Sequence, residues 1–219
     1  MIEEKQYIPN YENKIEYIIK KIQHINKIKI LELGVSKGIS TKKFINLCEL
    51  NDGFLNSVDI DDCSEVTKSK KWKFIQSSDD NFYLIDQIIP RELDFIYIDS
   101  YHEPNHVEKI FYHYYDFLRL GGICVIDDTS WLPYSKNEYR DNSYNECTNR
   151  GVFQRILEIY NQNKGSFSLE FLFEGSGLAI IKKKENFLNK SKKIHSREYG
   201  FKNLIRKFLS IFPKKIIIK

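Results

Sequence analysis

Residues 27–40 read KIKILELGVSKGIS. Lys27–Leu33 has the apolar content of a buried strand, and it stops at Gly34. A second glycine, Gly38, precedes a stretch from Thr41 to Leu50 that reads as a helix. Strand, glycine turn and helix in that order form a βα unit. The turn has the spacing ExGxxxG from Glu32, so it lacks the middle glycine of the dinucleotide fingerprint GxGxxG, and no GK[ST] follows as a P-loop needs. Gly34 and Gly38 allow the backbone to approach a ligand closely. The acidic rim suits a cationic or zwitterionic cofactor better than a pyrophosphate. The plainer alternative is a tight turn with capping acids.

The same reading extends in both directions. Upstream, Ile15, Ile18, Ile19, Ile22 and Ile25 recur at helical spacing, which predicts an amphipathic helix over 11–25. Downstream, strands are expected at Phe54–Asp59, Trp72–Gln76, Asp94–Ile98 and Ile123–Ile126. A helix over 105–119, closed by Leu120-Gly121-Gly122, separates the last two. Gly151–Asn161 reads as helical, and Phe167–Phe173 with Leu178–Ile181 as a terminal antiparallel hairpin turning at Gly175-Ser176-Gly177. Apolar strands alternating with helices imply an α/β fold with a parallel sheet covered on both faces. Ligands of such sheets bind beyond the carboxyl ends of the strands. There the sequence places Glu32, Asp59, Asp99 and the pair Asp127-Asp128. Any one of these acids could equally be a helix cap.

At this point the chain resembles the class I S-adenosylmethionine-dependent methyltransferases, and more narrowly the small-molecule O-methyltransferases that act on sugars and antibiotics. ILELGVSKGIS resembles the first motif, SVDID the ribose-binding acid, FIQSSDD the adenine-side turn, and LDFIYIDSYH with LGGICVIDDT the stretch that carries metal and base. The resemblance spans roughly 27–130, with elements in the expected order to about 184. It implies a Rossmann-like, doubly wound, mostly parallel sheet ending in an antiparallel hairpin. It implies that Glu32 and the turn Gly34, Val35, Ser36 and Gly38 hold the methionine portion of S-adenosylmethionine. Asp59 would bind the ribose, and Ser78 with Asp79 would flank the adenine; Ser77 stands where a glycine is usual. Asp99, Asp127 and Asp128 match acids that ligate Mg²⁺ in metal-dependent relatives, and His102 matches a base of some sugar O-methyltransferases.

Elementary chemistry supports those roles. Three carboxylates make a hard oxygen site that leaves room for water and substrate hydroxyls, as Mg²⁺ prefers. Such an ion lowers a hydroxyl's pKa and fixes its orientation. Imidazole is suited to accept the proton of an alcohol near neutral pH. Three alternatives remain open at this stage: a metal-free enzyme in which His102 acts alone, a solvated loop histidine, and a non-catalytic cofactor-binding scaffold. His106 and His113, on the following helix, read as structural or solvated.

Composition divides the 219 residues unevenly. The formal charge of +4 conceals a segment, 182–219, with 13 Lys/Arg and two Glu, a balance of +11 that leaves −7 on residues 1–181. We therefore expect a methyltransferase domain over 1–184 and a basic tail over 185–219. The Tyr- and Asn-rich segment 129–150 is long for a loop and is expected to form an acceptor lid, with Trp131, Tyr134, Tyr139 and Tyr144 available to stack on a sugar. In the tail, residues 199–212 place apolar and basic residues on opposite sides of a helix. That pattern fits an anionic membrane surface, the acidic body, or a second copy of the chain in a homo-oligomer. Nucleic acid is not expected, because no stacking platform or recognition module is evident. Four dispersed cysteines and an acidic, polar start predict a cytoplasmic protein with reduced thiols.

Overall fold

The computed structural model describes residues 11–130, 143–195 and 200–210. Helix α1 (Tyr11–Ile22) leads into β1 (Lys29–Leu33), followed by α2 (Ile39–Leu50), β2 (Phe54–Asp59), β3 (Trp72–Gln76) and a short α3 (Phe82–Ile85). The second half runs β4 (Leu93–Ile98), α4 (Pro104–Tyr115), β5 (Leu118–Asp127), α5 (Ser143–Gln162), β6 (Phe167–Leu172), β7 (Leu178–Lys183) and α6 (Phe201–Ser210). The strands form one sheet in the order β3-β2-β1-β4-β5-β7-β6. The first five are mutually parallel, and β7 runs antiparallel to both β5 and β6. The expected α/β sheet with its terminal hairpin is the observed fold.

Strand alternation divides the core into two layers. On one face Ile30, Phe95, Tyr97, Val125 and Ile180 pack with Ile15, Ile18 and Ile22 of α1 and Phe44 of α2. On the other, Leu31, Leu33, Ile96, Ile98, Cys124, Ile126 and Ile181 pack with Ile110 and Phe111 of α4 and Ile156 of α5. Burial on both faces explains why these strands read as continuous apolar runs.

Two boundaries differ from expectation. Helix α4 starts at Pro104, its first turn capped by the Glu103 carboxylate, which accepts from His106 N at 2.9 Å. It stops at Tyr115 rather than 119, because the chain enters β5 at Leu118 opposite Leu93. Gly121 and Gly122 therefore lie inside β5 and do not cap a helix. Leu93 opposes Leu118 but Phe95 opposes Ile123, so β5 carries a bulge there, and Gly121 supplies its left-handed residue at φ 77°. Helix α5 begins at Ser143, earlier than the expected Gly151, so residues 143–150 are helical; residues 131–142 of the expected lid, with Trp131, Tyr134 and Tyr139, lie outside the described residues.

The hairpin is tied to the body by Tyr115, whose buried hydroxyl donates to Ser166 O at 2.8 Å and Glu185 O at 2.9 Å. Tyr115→Phe should lower stability by about 1 kcal/mol, the net worth of the hydroxyl's hydrogen bond, since Ser166 O still accepts from Lys184 N and Glu185 N. Urea unfolding followed by circular dichroism measures this, and an unchanged midpoint would show that the bond contributes nothing.

Candidate active site

The strand order turns outward from β1 and β4 in opposite directions, which opens a crevice at their carboxyl ends. Gly34 lies where β1 leaves the sheet. At φ 98°, a Cβ there would stand 2.2 Å from the carbonyl oxygen of Asp99, so only glycine passes. The next turn is organised by an acid on the neighbouring strand. Asp59 Oδ2 accepts from the amides of Val35 at 2.7 Å and Ser36 at 2.9 Å, and Oδ1 accepts from Asp61 N at 3.0 Å. Partial burial alone would raise the Asp59 pKa, but these backbone N–H groups outweigh it and hold the carboxyl below its usual range. A ribose contact would have to share this carboxylate with the turn it supports.

Glu32 is fully buried, and three hydroxyls donate to it: Ser40 Oγ at 2.6 Å, Thr41 Oγ1 at 2.8 Å and Ser57 Oγ at 2.7 Å. It therefore fastens the start of α2 to β2. Burial pushes its carboxyl up to about 7 against the pull of those hydroxyls. On the adenine side, Ser78 is exposed and its hydroxyl donates to Asp80 at 2.6 Å. Asp79 is buried and accepts from Ser100 Oγ at 2.5 Å, with His106 Nε2 at 2.9 Å. His113 bonds Asp86 at 2.8 Å and stacks on Phe82. Both histidines thus fasten α4 to the segment after β3.

The strand-end acids next to these separate by parity. Asp127 continues the Ile123–Val125 side of β5 toward α1, where Lys14 Nζ meets its Oδ1 in a pair almost wholly removed from solvent. Ser176 Oγ at 3.1 Å and Asp128 N at 2.6 Å reach the same oxygen, while Tyr97 OH donates to Oδ2 at 2.6 Å. Asp128 leaves the strand with φ 56° and faces the opposite way. There His102 Nε2 lies 3.3 Å from Asp99 Oδ1 and 3.6 Å from Asp128 Oδ2. Burial alone would lower the His102 pKa, but Asp99, Asp128 and Asp127 together lift it to about 9. Burial raises the Asp99 carboxyl, and the Asp127 charge adds to it. Two buried polar atoms at this end of the sheet, His102 Nδ1 and Thr129 Oγ1, lack a partner among the described residues, as expected of groups that meet a ligand or water. Tyr101 and Tyr144, both exposed, hydrogen-bond each other beside His102.

The structure brings Asp99, His102 and Asp128 together, but Asp127 is satisfied from the other side of the sheet. Among the described residues no group of three or more His, Cys, Asp or Glu side chains is arranged to hold a metal ion. The three-carboxylate site does not fit this geometry. Sequence reasoning also passed over Lys14, Tyr97 and Ser176. Lys14 lies four residues before Ile18 and eight before Ile22, so it stands on the apolar stripe of α1, and that placement was its signal.

Residues 31–129 match the family model for a methyltransferase domain. Among solved structures, MycE from the mycinamycin biosynthetic pathway, in complex with Mg, S-adenosylhomocysteine (SAH) and mycinamycin VI, is 18% identical with a TM-score of 0.56. That match covers 83% of this chain but only 51% of MycE, so the chain spans about half of MycE's length. A putative caffeoyl-CoA O-methyltransferase from Staphylococcus aureus is 17% identical, covering 78% of this chain and 81% of its own, with a TM-score of 0.59. The SAH-bound methyltransferase PaMTH1 from Podospora anserina is 16% identical, covering 78% of each chain, with a TM-score of 0.62. No curated protein matches the sequence. Family model and fold agree: residues 31–129 match a methyltransferase domain, and the chain has the Rossmann-like fold of S-adenosylmethionine-dependent methyltransferases.

The Glu32 carboxyl has a folded pKa of about 7 against an unfolded value of about 4.3, so the native state binds the extra proton between those limits. Stability relative to Glu32→Gln should therefore decline as pH rises from about 4.5 to about 7. Paired urea titrations at pH 4.5, 6 and 7.5 check this, and a constant difference would remove the buried-acid account.

Proposed function

We propose that the domain transfers a methyl group to a hydroxyl of a saccharide or related small metabolite. The observation that carries this reading is His102, held by Asp99 and Asp128 at the carboxyl end of β4 with one ring nitrogen left without a described partner. A ring held at Nε2 by two carboxylates is oriented to take a proton from an acceptor at the crevice. S-adenosylmethionine supplies the electrophilic methyl group and leaves as S-adenosylhomocysteine. The turn Gly34–Gly38, with Val35 and Ser36, is proposed to seat the methionine end. Asp59 is proposed to take the ribose, and Ser78 with Asp79 to border the adenine. His102 accepts the hydroxyl proton as the acceptor oxygen bonds to the methyl carbon, while Asp99 and Asp128 stabilise the imidazolium that results. Tyr101 and Tyr144 present ring faces at the mouth suited to a sugar or another flat acceptor. The relatives support an acceptor of this kind: MycE is described with mycinamycin VI, and another neighbour as a putative caffeoyl-CoA O-methyltransferase. Mg accompanies MycE. Because Asp127 is committed to Lys14, no step here is assigned to an ion.

We also propose that the tail holds the enzyme at an anionic membrane surface. In α6, Phe201, Leu204, Ile205 and Phe208 follow helical spacing and are exposed, as are the cations Lys202 and Arg206. No helix among the described residues is long and apolar enough to cross a membrane, so the contact would be peripheral.

Three outcomes are expected. His102→Gln should lower the rate of methyl transfer about 10²–10⁴-fold while cofactor binding by calorimetry stays within a few-fold. Wild-type kcat/KM should climb with pH up to about 9, since the base must first lose its proton. A rate indifferent to this substitution, over a panel of sugar and catechol acceptors, would exclude His102 as the base. In flotation assays the full chain should rise with phosphatidylglycerol-containing vesicles and not with phosphatidylcholine alone, and Phe201→Ser with Leu204→Ser should abolish the recovery. Equal recovery with both lipids would reject the anionic surface.

A further inference from the structure

We infer that Lys14 is a cation supplied by the protein itself at the strand-end acids, standing on Asp127 where a divalent ion would need a ligand. A carboxylate offers about four acceptor positions. Asp127 already receives four donors: Lys14 Nζ, Ser176 Oγ and Asp128 N on Oδ1, and Tyr97 OH on Oδ2. Lys14 Nζ in turn donates to Ser176 Oγ at 2.7 Å, so ammonium, hydroxyl and carboxylate close a small buried ring. Lys14 and Asp127 are 2% and 1% exposed. An ion reaching for Asp127 would have to displace a donor from Oδ1 or share Oδ2 with Tyr97, and in either case sit close to an ammonium in a region of low dielectric, where like charges repel strongly.

The arrangement is built from three separate parts of the chain. Lys14 comes from the buried face of α1, and Asp127 from the end of β5. Ser176 comes from the turn before β7, which is held against the chain after β5 by Ser130 N donating to Ser176 O at 2.8 Å. Tyr97 carries the effect inward: its hydroxyl touches Asp127 Oδ2 and lies 3.3 Å from Asp99 Oδ2. With Asp127 paired to Lys14, Asp99 and Asp128 are the acids in contact with His102. Lys14 is therefore a positioning residue, which sets the charge around the base without touching the acceptor. It follows that methyl transfer proceeds without a divalent ion, a consequence that rests on the function proposed above.

Mn²⁺ binding to the full chain, followed by electron paramagnetic resonance, tests the assignment without any turnover. Wild type should bind Mn²⁺ no tighter than millimolar. Lys14→Gln should bind at least ten-fold tighter, because Asp127 is then released to coordinate, and adding Asp127→Asn should cancel the gain. Tight wild-type binding that Asp127→Asn abolishes would overturn the inference. If Lys14→Gln fails to fold, the double variant Lys14→Met/Asp127→Leu, which removes both charges, should fold and bind Mn²⁺ as weakly as wild type; binding tighter than wild type would also overturn it. Where turnover is found, EDTA should leave the rate unchanged, and a rate abolished by EDTA and restored by Mg²⁺ would count against Lys14. Absence of turnover with every acceptor would strike at the proposed function, leaving the Mn²⁺ titrations to decide on Lys14.

Discussion

A carboxylate removed from water has to be met by donors or give up its charge, and this protein collects five carboxylates, two buried and three partly buried, at one end of a buried parallel sheet. Each is met differently. Glu32 is surrounded by three hydroxyls. Asp59 gathers the amides of the first turn. Asp127 takes an ammonium from the helix that opens the fold. Asp99 and Asp128 share an imidazole. The architecture around the crevice follows from these partnerships, because α1, α2, the first turn and the hairpin turn are each fixed against the sheet by one of them.

The partnerships also decide what remains for chemistry. Acids satisfied from within the fold act as fasteners: Glu32 holds α2, and Asp127 holds α1 and the hairpin turn. His102 has Asp99 and Asp128 beside Nε2, while its buried Nδ1 has no partner among the described residues. Incomplete satisfaction of a buried polar group is costly unless something else completes it. The cost falls at the crevice, where the two orphaned atoms lie.

Much of this architecture was legible in the chain. The βα order, the hairpin and the concentration of acids at strand ends follow from apolar runs broken by glycine and aspartate, because a sheet buried on both faces leaves a strong periodic signature. The end of α4 was misplaced since Gly121-Gly122 has the composition of a helix cap, and only the pairing of Leu118 with Leu93 converts it into a strand bulge. The start of α5 was missed because its first two turns, rich in Asn and Tyr, lack an apolar stripe.

Sequence by itself determined the sheet, its two covered faces and the set of residues gathered at its carboxyl edge, all of which depend on local periodicity. Only the tertiary structure decided which acids stay with the base and which become fasteners. Asp127 and Asp128 are adjacent and chemically identical, so no reading of their neighbourhood in the chain separates them. Alternation along β5 points Asp127 at α1, where a lysine 113 positions earlier closes on it, and the left-handed turn at Asp128 points that residue at His102. Charge neutralisation between residues so far apart depends on packing, and packing is not written in local pattern.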